Sequence, residues 1–426
     1  MDRLPGFRDF LPEPVPSSKE DLWSMDLRNH IFEAWRQVAE SYGFREYDGP
    51  PLESLELYTV KSGDEIVEQL FNFTDKGDRE VALRPEMTPT LARLIASNER
   101  AYKKPMKWFS MPQLFRYERA SKGRKREHFQ LNCDIIGEEH RAADAELIAL
   151  LIDVLRALGL TSDDFVVRLS SRDAWQQFFD TRCDDPAKAT DFYQIVDKLE
   201  REAPEQSEKN LGALGFSLAE VQAFITEGKP TAELALIIDN LTARGMGDFV
   251  KIDYGVIRGL AYYTGPVFEA FDKKGAFRAI AGGGRYDHLI KLVSGGKVDL
   301  PALGFGMGDV VLAELLKARD LVPEFGDDLD VFVLIEEETE RPASLALIQQ
   351  LRDRTLNVDY SLAPMNGNKQ FKRAQELSAE YTVRLERGLV VIKHLPTREE
   401  LRLAPDEIAD HIIESALNED EDESDD

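Results

Sequence analysis

The sequence predicts an α+β protein: a mainly antiparallel sheet with flanking helices, interrupted by a helical insertion and followed by a separate α/β unit. Three observations carry this. Short stretches alternate apolar and polar residues, as in Phe129, Leu131, Cys133 and Ile135 against Gln130, Asn132 and Asp134, the period of a strand with one buried face. From about 171 to 248 that pattern gives way to short polar helical segments broken by CDDP, EGKP and RGMG. Beyond the VPEFGDDLD linker, strands and helices alternate over about ninety residues, which predicts a small sheet with helices packed on it. The expected divisions are 1–170 and 249–322 for the two parts of the sheet domain, 171–248 for the insertion, 328–416 for the last unit and 417–426 for an acidic, disordered tail.

Taken in order, Leu27, Ile31, Ala34, Trp35, Val38 and Tyr42 recur at helical spacing and Gly43 stops the run, so a helix is expected over about 18–42. Pro50 and Pro51 then demand an extended edge segment. Leu70–Arg84 reads as a hairpin turning at Asp75–Asp78. In LRPEMTPTLARLIA, Thr88 is placed as an N-cap with Pro89 at the first helical position, which fixes Glu86 on a corner between strand and helix. There the Glu86 carboxylate either favours the helix N-terminus or faces a ligand ammonium. KWFSMPQLFR reads as a strand delivering Arg116, and residues 138–158 as a helix closed by Gly159. After Val250 a hairpin ends in Gly282–Gly284, where backbone can approach a ligand closely. PALGFGMGDVVLAELL is a glycine-rich strand entering a helix that Asp309 is expected to cap.

Length and composition set limits on function. The 426 residues suffice for two or three cores, and no run of 18 apolar residues appears, so a soluble, non-exported protein with no membrane segment is expected. Two cysteines, Cys133 and Cys183, and six scattered histidines give neither a disulfide framework nor metal-ligand spacing. The net charge of −26 argues against non-specific nucleic-acid binding over the whole surface but leaves room for a local basic path. Seven acids lie in Glu419–Asp426 alone.

Against that background, Arg116–Arg126 holds six cations (Arg116, Arg119, Lys122, Arg124, Lys125, Arg126) and one anion, Glu118. Such a reversal is either a solvated loop or a polyanion site. The strand that follows favours the second, because Gln130 and Asp134 project to the same side, roughly 13 Å apart at ~3.3 Å per residue.

Six segments, PGFRDFLP, LRPEMT, FRYERASKGRKREHFQ, RGLAYYTGPVFEAF, GGGRYD and NKQFKRA, resemble in order those of the histidyl-tRNA synthetases, a class II aminoacyl-tRNA synthetase family, along nearly the entire chain. The resemblance implies a class II synthetase-like sheet, an anticodon-binding-like C-terminal domain and a cytoplasmic homodimer. It implies an enzyme that activates histidine with ATP and Mg²⁺, without a protein metal site, and transfers it to tRNA(His). By the same resemblance Arg116 holds the α-phosphate, Glu118 the adenine amino group and Arg124 the terminal phosphates, while Arg258 bridges the histidine carboxylate and the α-phosphate. Glu86, Thr88 and Gln130 contact the histidine amino group; Asp134, Tyr263 and Tyr286 meet the imidazole, with Tyr262 beside them. Lys369, Lys372 and Arg373 are placed for tRNA phosphates. The residue chemistry agrees, since a carboxylate attacking a phosphate needs planar arginine forks to offset charge on both reactants. From the residues alone, Tyr262 and Tyr263 read first as core aromatics, and the three cations of 369–373 are also commonplace on any surface.

Two positions depart from the family pattern. Ala261 stands where an aspartate is usual, and Val311 where an arginine usually clamps the γ-phosphate. Loss of one such desolvated contact costs roughly 2–4 kcal/mol of transition-state stabilisation. Lys122, Lys125, Arg126 and Arg278 are the cations the sequence offers in its place. The loss of that arginine also keeps in view a catalytically reduced, histidine-sensing regulatory paralogue, similar to the regulatory subunit of ATP phosphoribosyltransferase. A third reading is ligation of an amino acid to an acceptor other than tRNA.

Overall fold

The structure, a computed structural model, describes residues 3–16, 22–62, 64–117, 125–199, 202–257, 263–325, 329–386 and 388–423. Two compact units divide the chain, Met1–Pro323 and Glu324–Asp426.

In the first unit, β1 (Asp9–Leu11) pairs in parallel with β2 (Leu22–Ser24), and α1 (Met25–Ser41) follows. The helix starts later than its apolar pattern suggests because Ser24, extended at φ −70°, ψ 126°, caps it, its Oγ accepting from Leu27 N–H at 3.1 Å. Next come β3 (Arg45–Glu46), β4 (Leu52–Ser54) and α2 (Leu55–Ser62). The expected hairpin is β5 (Asn72–Thr74) and β6 (Glu80–Leu83), and the extended segment after Pro51 supplies β4 as the third strand of that small sheet. The helix α3 (Thr88–Asn98) differs at its start: Met87 occupies the cap position in a helical conformation, so Thr88 is already helical and no side chain caps the end.

The stretch 107–116 is two strands, β7 (Met106–Ser110) and β8 (Gln113–Phe115), because Pro112 has no N–H to continue the ladder and its carbonyl instead accepts from Gln130 N–H at 3.2 Å. Both pair with β9 (Glu127–Ile136). The helix α4 (Ala142–Ala157) is nearly all apolar and buried, and Gly159 ends the turn after it at φ +84°. After β10 (Phe165–Ser171) come α5 (Arg172–Asp180), α6 (Ala189–Lys198), α7 (Pro204–Gly212), α8 (Leu218–Glu227) and α9 (Ala232–Ala243), the first four gathered around Trp175, Phe178, Phe179, Phe192, Phe216 and Phe224. The chain returns through β11 (Val250–Ile252), β12 (Pro266–Asp272), β13 (Ala281–Arg285), α10 (Leu289–Val293), β14 (Ala302–Gly308) and α11 (Asp309–Ala318).

Among the described residues the large sheet has nine strands in the order β11-β10-β12-β13-β14-β9-β7-β3, with β8 also on β9. It is antiparallel except at its ends, where β10 with β11 and β3 with β7 run parallel. Leu131, Cys133 and Ile135, with Leu303, Phe305 and Met307 opposite them, are buried on the side where α4 and α11 pack. That leaves the opposite face, with Gln130, Asn132 and Asp134, as the candidate functional one.

The second unit is built on a sheet ordered β16 (Val358–Tyr360), β15 (Val331–Val333), β17 (Tyr381–Glu386), β18 (Leu389–His394) and β19 (Glu400–Leu403), parallel across the first three and antiparallel thereafter. The helices α12 (Arg341–Asp353), α13 (Gly367–Glu376) and α14 (Ile408–Glu423) accompany it. α14 continues as helix to Glu423, where a disordered tail is expected from 417; glutamate is a good helix former and prolongs a helix nucleated by Ile408–Leu417.

Candidate active site

A floor almost free of side chains sets the geometry. Across the ladder, Gln130, Asn132 and Asp134 of β9 stand opposite Gly308, Gly306 and Gly304 of β14; Gly306 and Gly304 stand opposite Gly282 and Gly284 of β13. Opposed residues of an antiparallel pair share a face. Gln130 and Asp134 therefore lie down across their neighbours: a β-carbon at 304 would sit 1.9 Å from Asp134 Oδ1, and one at 306 would sit 2.8 Å from Gln130 Cδ. The Tyr263 ring lies as close over Gly284, 2.9 Å from where its β-carbon would be.

At one end the face is closed by the cluster that joins α3 and α10, with Trp108, Tyr263 and Tyr286 around Asp134. The Tyr286 hydroxyl donates to Asp134 Oδ1. Burial pushes the Asp134 carboxyl up to about 7, against the opposing pull of that hydrogen bond. Burial likewise raises Tyr263, helped by the negative charges of Glu86, Glu269 and Asp134. Tyr286 is aimed from behind by its neighbour: Arg285, 1 % exposed at its side chain, is paired with Asp144 at 2.7 Å and also donates to the Glu138 and His140 carbonyls. The pocket thus offers a carboxylate balanced near neutrality and two phenol hydroxyls, a set that suits a ring with N–H groups.

That balance has a testable cost to the empty protein. With a folded value of about 7 against 3.8 unfolded, Asp134 stabilises fully below pH 3.8 and loses that contribution as pH rises through 7. Asp134→Asn keeps an acceptor for Tyr286 and is expected to melt higher than the wild type by an amount that grows between pH 4 and 7 and then levels off, at most about 4 kcal/mol. Thermal melts from pH 4 to 8 without ligand check it; a constant difference would mean that Asp134 ionises normally.

The other end of the face is cationic. Arg116 follows β8, its N–H bonded to Arg126 O at 2.8 Å and its Nε donating to Pro85 O at 3.1 Å, which fixes the guanidinium stem. It opens on a cleft of about 280 Å³ lined by Arg116, Lys125, His128, Gln130, Arg278 and the glycines 282, 306 and 308, with Val310 and Val311 on the wall. Burial first, then Arg116 and Arg8, push His128 down to about 3, so its imidazole is neutral there. A larger hollow of about 530 Å³ beside β4 and β6 is rimmed by Glu53, Glu56, Asp75 and Glu80 and lacks this convergence of donors.

Of the residues singled out in the sequence, the structure brings Arg116, Gln130, Asp134, Tyr263 and Tyr286 to one face. Glu86 and Thr88 are half-buried at the start of α3, with Glu86 close enough to act on Tyr263. Glu118, Arg124, Arg258 and Tyr262, with Lys122 and Ala261, lie outside the described residues. Lys369, Lys372 and Arg373 are exposed on α13, while Gln370 on its inner side bonds both Ile335 N–H and Ile335 O. Asp309 does not cap its helix: its carboxylate accepts from Arg8 at 2.8 Å and from Phe129 N–H at 3.0 Å. Glu269, opposite Gly282 on the same face, was missed by sequence reasoning; the alternating glycines of GFGMG were the signal that this face is a ligand bed. Among the described residues no group of three or more His, Cys, Asp or Glu is placed to hold a metal, and no helix is long and apolar enough to cross a membrane.

Comparison with known proteins agrees with this geometry. The sequence model of the family described as Histidyl-tRNA synthetase matches residues 23–309. A histidine–tRNA ligase of Opitutus terrae is 44 % identical over 424 residues, spanning 93 % of this chain and 94 % of the relative. The chloroplastic/mitochondrial histidine–tRNA ligase of Arabidopsis thaliana is 36 % identical, spanning 93 % and 84 %. In fold, the chain is similar to the crystal structure of histidyl-tRNA synthetase from Nostoc sp. PCC 7120, with TM-score 0.76 at 23 % identity over 95 % of this chain and all of that one. A structure from Bacillus halodurans, titled as an ATP phosphoribosyltransferase regulatory subunit/histidyl-tRNA synthetase, gives TM-score 0.71 at 21 % identity over 90 % and 97 %.

Proposed function

Because this chain belongs to the histidyl-tRNA synthetase family and is a histidine–tRNA ligase, we propose that its glycine-floored face seats histidine at the Asp134 end and ATP at the Arg116 end. The observation that carries this reading is the Asp134–Tyr286 pair on the same strand face as Gln130 and the cationic cleft, roughly 13 Å apart along β9 at ~3.3 Å per residue. Asp134 accepts from one imidazole N–H, and Tyr263 and Tyr286 complete the ring's partners with Tyr262. Glu86, Thr88 and Gln130 hold the ammonium. A ring without nitrogens would leave these buried polar groups unpaired.

In the first step the histidine carboxylate attacks the α-phosphorus of ATP, the bond to the β-phosphate breaks, and pyrophosphate leaves. Arg116 and Arg258 offset charge on the α-phosphate and carboxylate, Glu118 accepts from the adenine amino group, and Arg124 meets the terminal phosphates. Mg²⁺ bound to ATP would draw charge from the phosphate oxygens, with no protein metal site needed. In the second step the 3′ end of tRNA(His) takes the histidyl group and AMP leaves. The helical insertion 171–248 and the C-terminal domain 328–416 serve the tRNA, with Lys369, Lys372 and Arg373 on its phosphates. The working form is a cytoplasmic homodimer.

The test is isotope exchange between pyrophosphate and ATP by the purified protein. Histidine should drive it and phenylalanine should not, by a factor of about 10⁴ or more. No exchange from a protein that histidine still protects against heat would point to a sensor of histidine instead.

A further inference from the structure

We propose that Arg278 is a catalytic residue that binds the pyrophosphate portion of ATP, supplying the charge that Val311 does not; this rests on the ligase reading above. Val310 and Val311, in the first turn of α11, line the same cleft as Arg116, Lys125 and Arg278. Among the described residues no acidic side chain joins that lining. Other arginines packed on this sheet are neutralised: Arg285 by Asp144, Arg319 by Asp164 and Asp272, and Arg8 by Glu127 and Asp309. Arg278 makes no hydrogen bond or ion pair among the described residues. A guanidinium held at a cleft mouth without a carboxylate is an anion receptor by its chemistry.

Its placement is firm although its side chain is exposed. Arg278 lies in the turn between β12 and β13, and two residues later Ile280, 2 % exposed, bonds through its N–H to Ala270 O at 2.8 Å and begins the run into Gly282 on the floor. At α11 the cap position is held by Gly308, which has no side chain to offer, and the Asp309 carboxylate is engaged by Arg8 and Phe129 N–H. Arg278 and the first turn of α11 thus line one hollow, which fits the charged end of a nucleoside triphosphate beyond an α-phosphate at Arg116. As the α–β bond breaks, negative charge grows on the leaving pyrophosphate, and a fixed guanidinium there lowers the barrier.

Three proteins test this: Arg278→Ala, Arg278→Lys and the double variant Arg278→Ala/Val311→Arg. Exchange kinetics should show Arg278→Ala losing about 10²–10³-fold in kcat/KM for ATP with the histidine KM unchanged, Arg278→Lys losing less, and the double variant regaining at least about tenfold. Titration calorimetry with inorganic pyrophosphate should show the same ranking without turnover. Unchanged ATP kinetics and pyrophosphate affinity in Arg278→Ala would overturn the proposal, as would a loss confined to histidine or no recovery on adding Val311→Arg. Wild-type protein that fails to exchange at all, yet binds pyrophosphate through Arg278, would leave this site standing and sink the ligase mechanism.

Discussion

Gly304→Ala is expected to abolish histidine-dependent adenylation while leaving binding of ATP intact. A β-carbon at 304 would lie 1.9 Å from Asp134 Oδ1, 2.7 Å from Asp134 Cγ and 3.0 Å from Cys133 O. The first two contacts fall on the Asp134 carboxylate, and the third is backbone in the adjoining strand, so neither strand can simply step aside. Asp134 must rotate off its seat, which breaks its bond from Tyr286 and withdraws the acceptor for the imidazole. A site built to hydrogen-bond a ligand group discriminates by about 10⁴ when that bond is missing, so histidine affinity should fall on that scale. Overpacking should add about 1–3 kcal/mol of destabilisation. The matched control is Gly212→Ala at the end of α7, where nothing lies within 4 Å and the change should be neutral or slightly stabilising. Calorimetric titration with histidine and, separately, with ATP checks the prediction. Normal histidine affinity in Gly304→Ala would show that the imidazole is read away from Asp134.

How much of this could be read from the sequence differs between local and tertiary features. Alternation along Phe129–Ile135 and the hairpin at 70–84 were legible, because each is a periodic pattern with its own turn chemistry. Ends of elements were less so: Pro112 splits one expected strand into two, Ser24 shortens one helix, and Met87 rather than Thr88 precedes another. Those boundaries depend on which partner takes each N–H. For the candidate site, motif resemblance named Arg116, Gln130, Asp134, Tyr263 and Tyr286, and the structure brings these five to one face. What no motif announced was the pairing of β9 with β14 and β13, by which Gly304 meets Asp134 and Gly306 meets Gln130 across strands. The register belongs to three segments at once, and only the fold brings them together. Of the four candidate cations, the fold brings Lys125 and Arg278 into one cleft with Val311, which no local pattern announces.

Arg8 was similarly part of a recognised segment, PGFRDFLP, without a role, yet its removal is expected to cost about 3–5 kcal/mol of stability in the sheet domain. Its side chain is fully buried and forks between two carboxylates, Nε to Glu127 at 2.7 Å and a terminal nitrogen to Asp309 at 2.8 Å, with the guanidinium 4.5 Å from the Trp23 ring. Gln113 donates to Glu127 at 3.0 Å and Phe129 N–H to Asp309 at 3.0 Å, so the network ties the N-terminal segment to β8, β9 and the start of α11. Burial raises the Asp309 carboxyl even with Arg8 beside it, since two acids share one guanidinium. Arg8→Met would leave both without their cation, and breaking a buried pair from one side costs about 3–5 kcal/mol. The loss should be greatest near pH 7 and shrink toward pH 4–5, because Asp309, already raised, protonates more readily once Arg8 is gone. The triple variant Arg8→Met/Glu127→Gln/Asp309→Asn separates charge from packing: if stranded charge is the cause, it should be more stable than Arg8→Met alone at pH 7. Chemical denaturation at pH 5 and 7 measures both. An equal or lower stability of the triple variant would assign the loss to the ring and methylene contacts of Arg8.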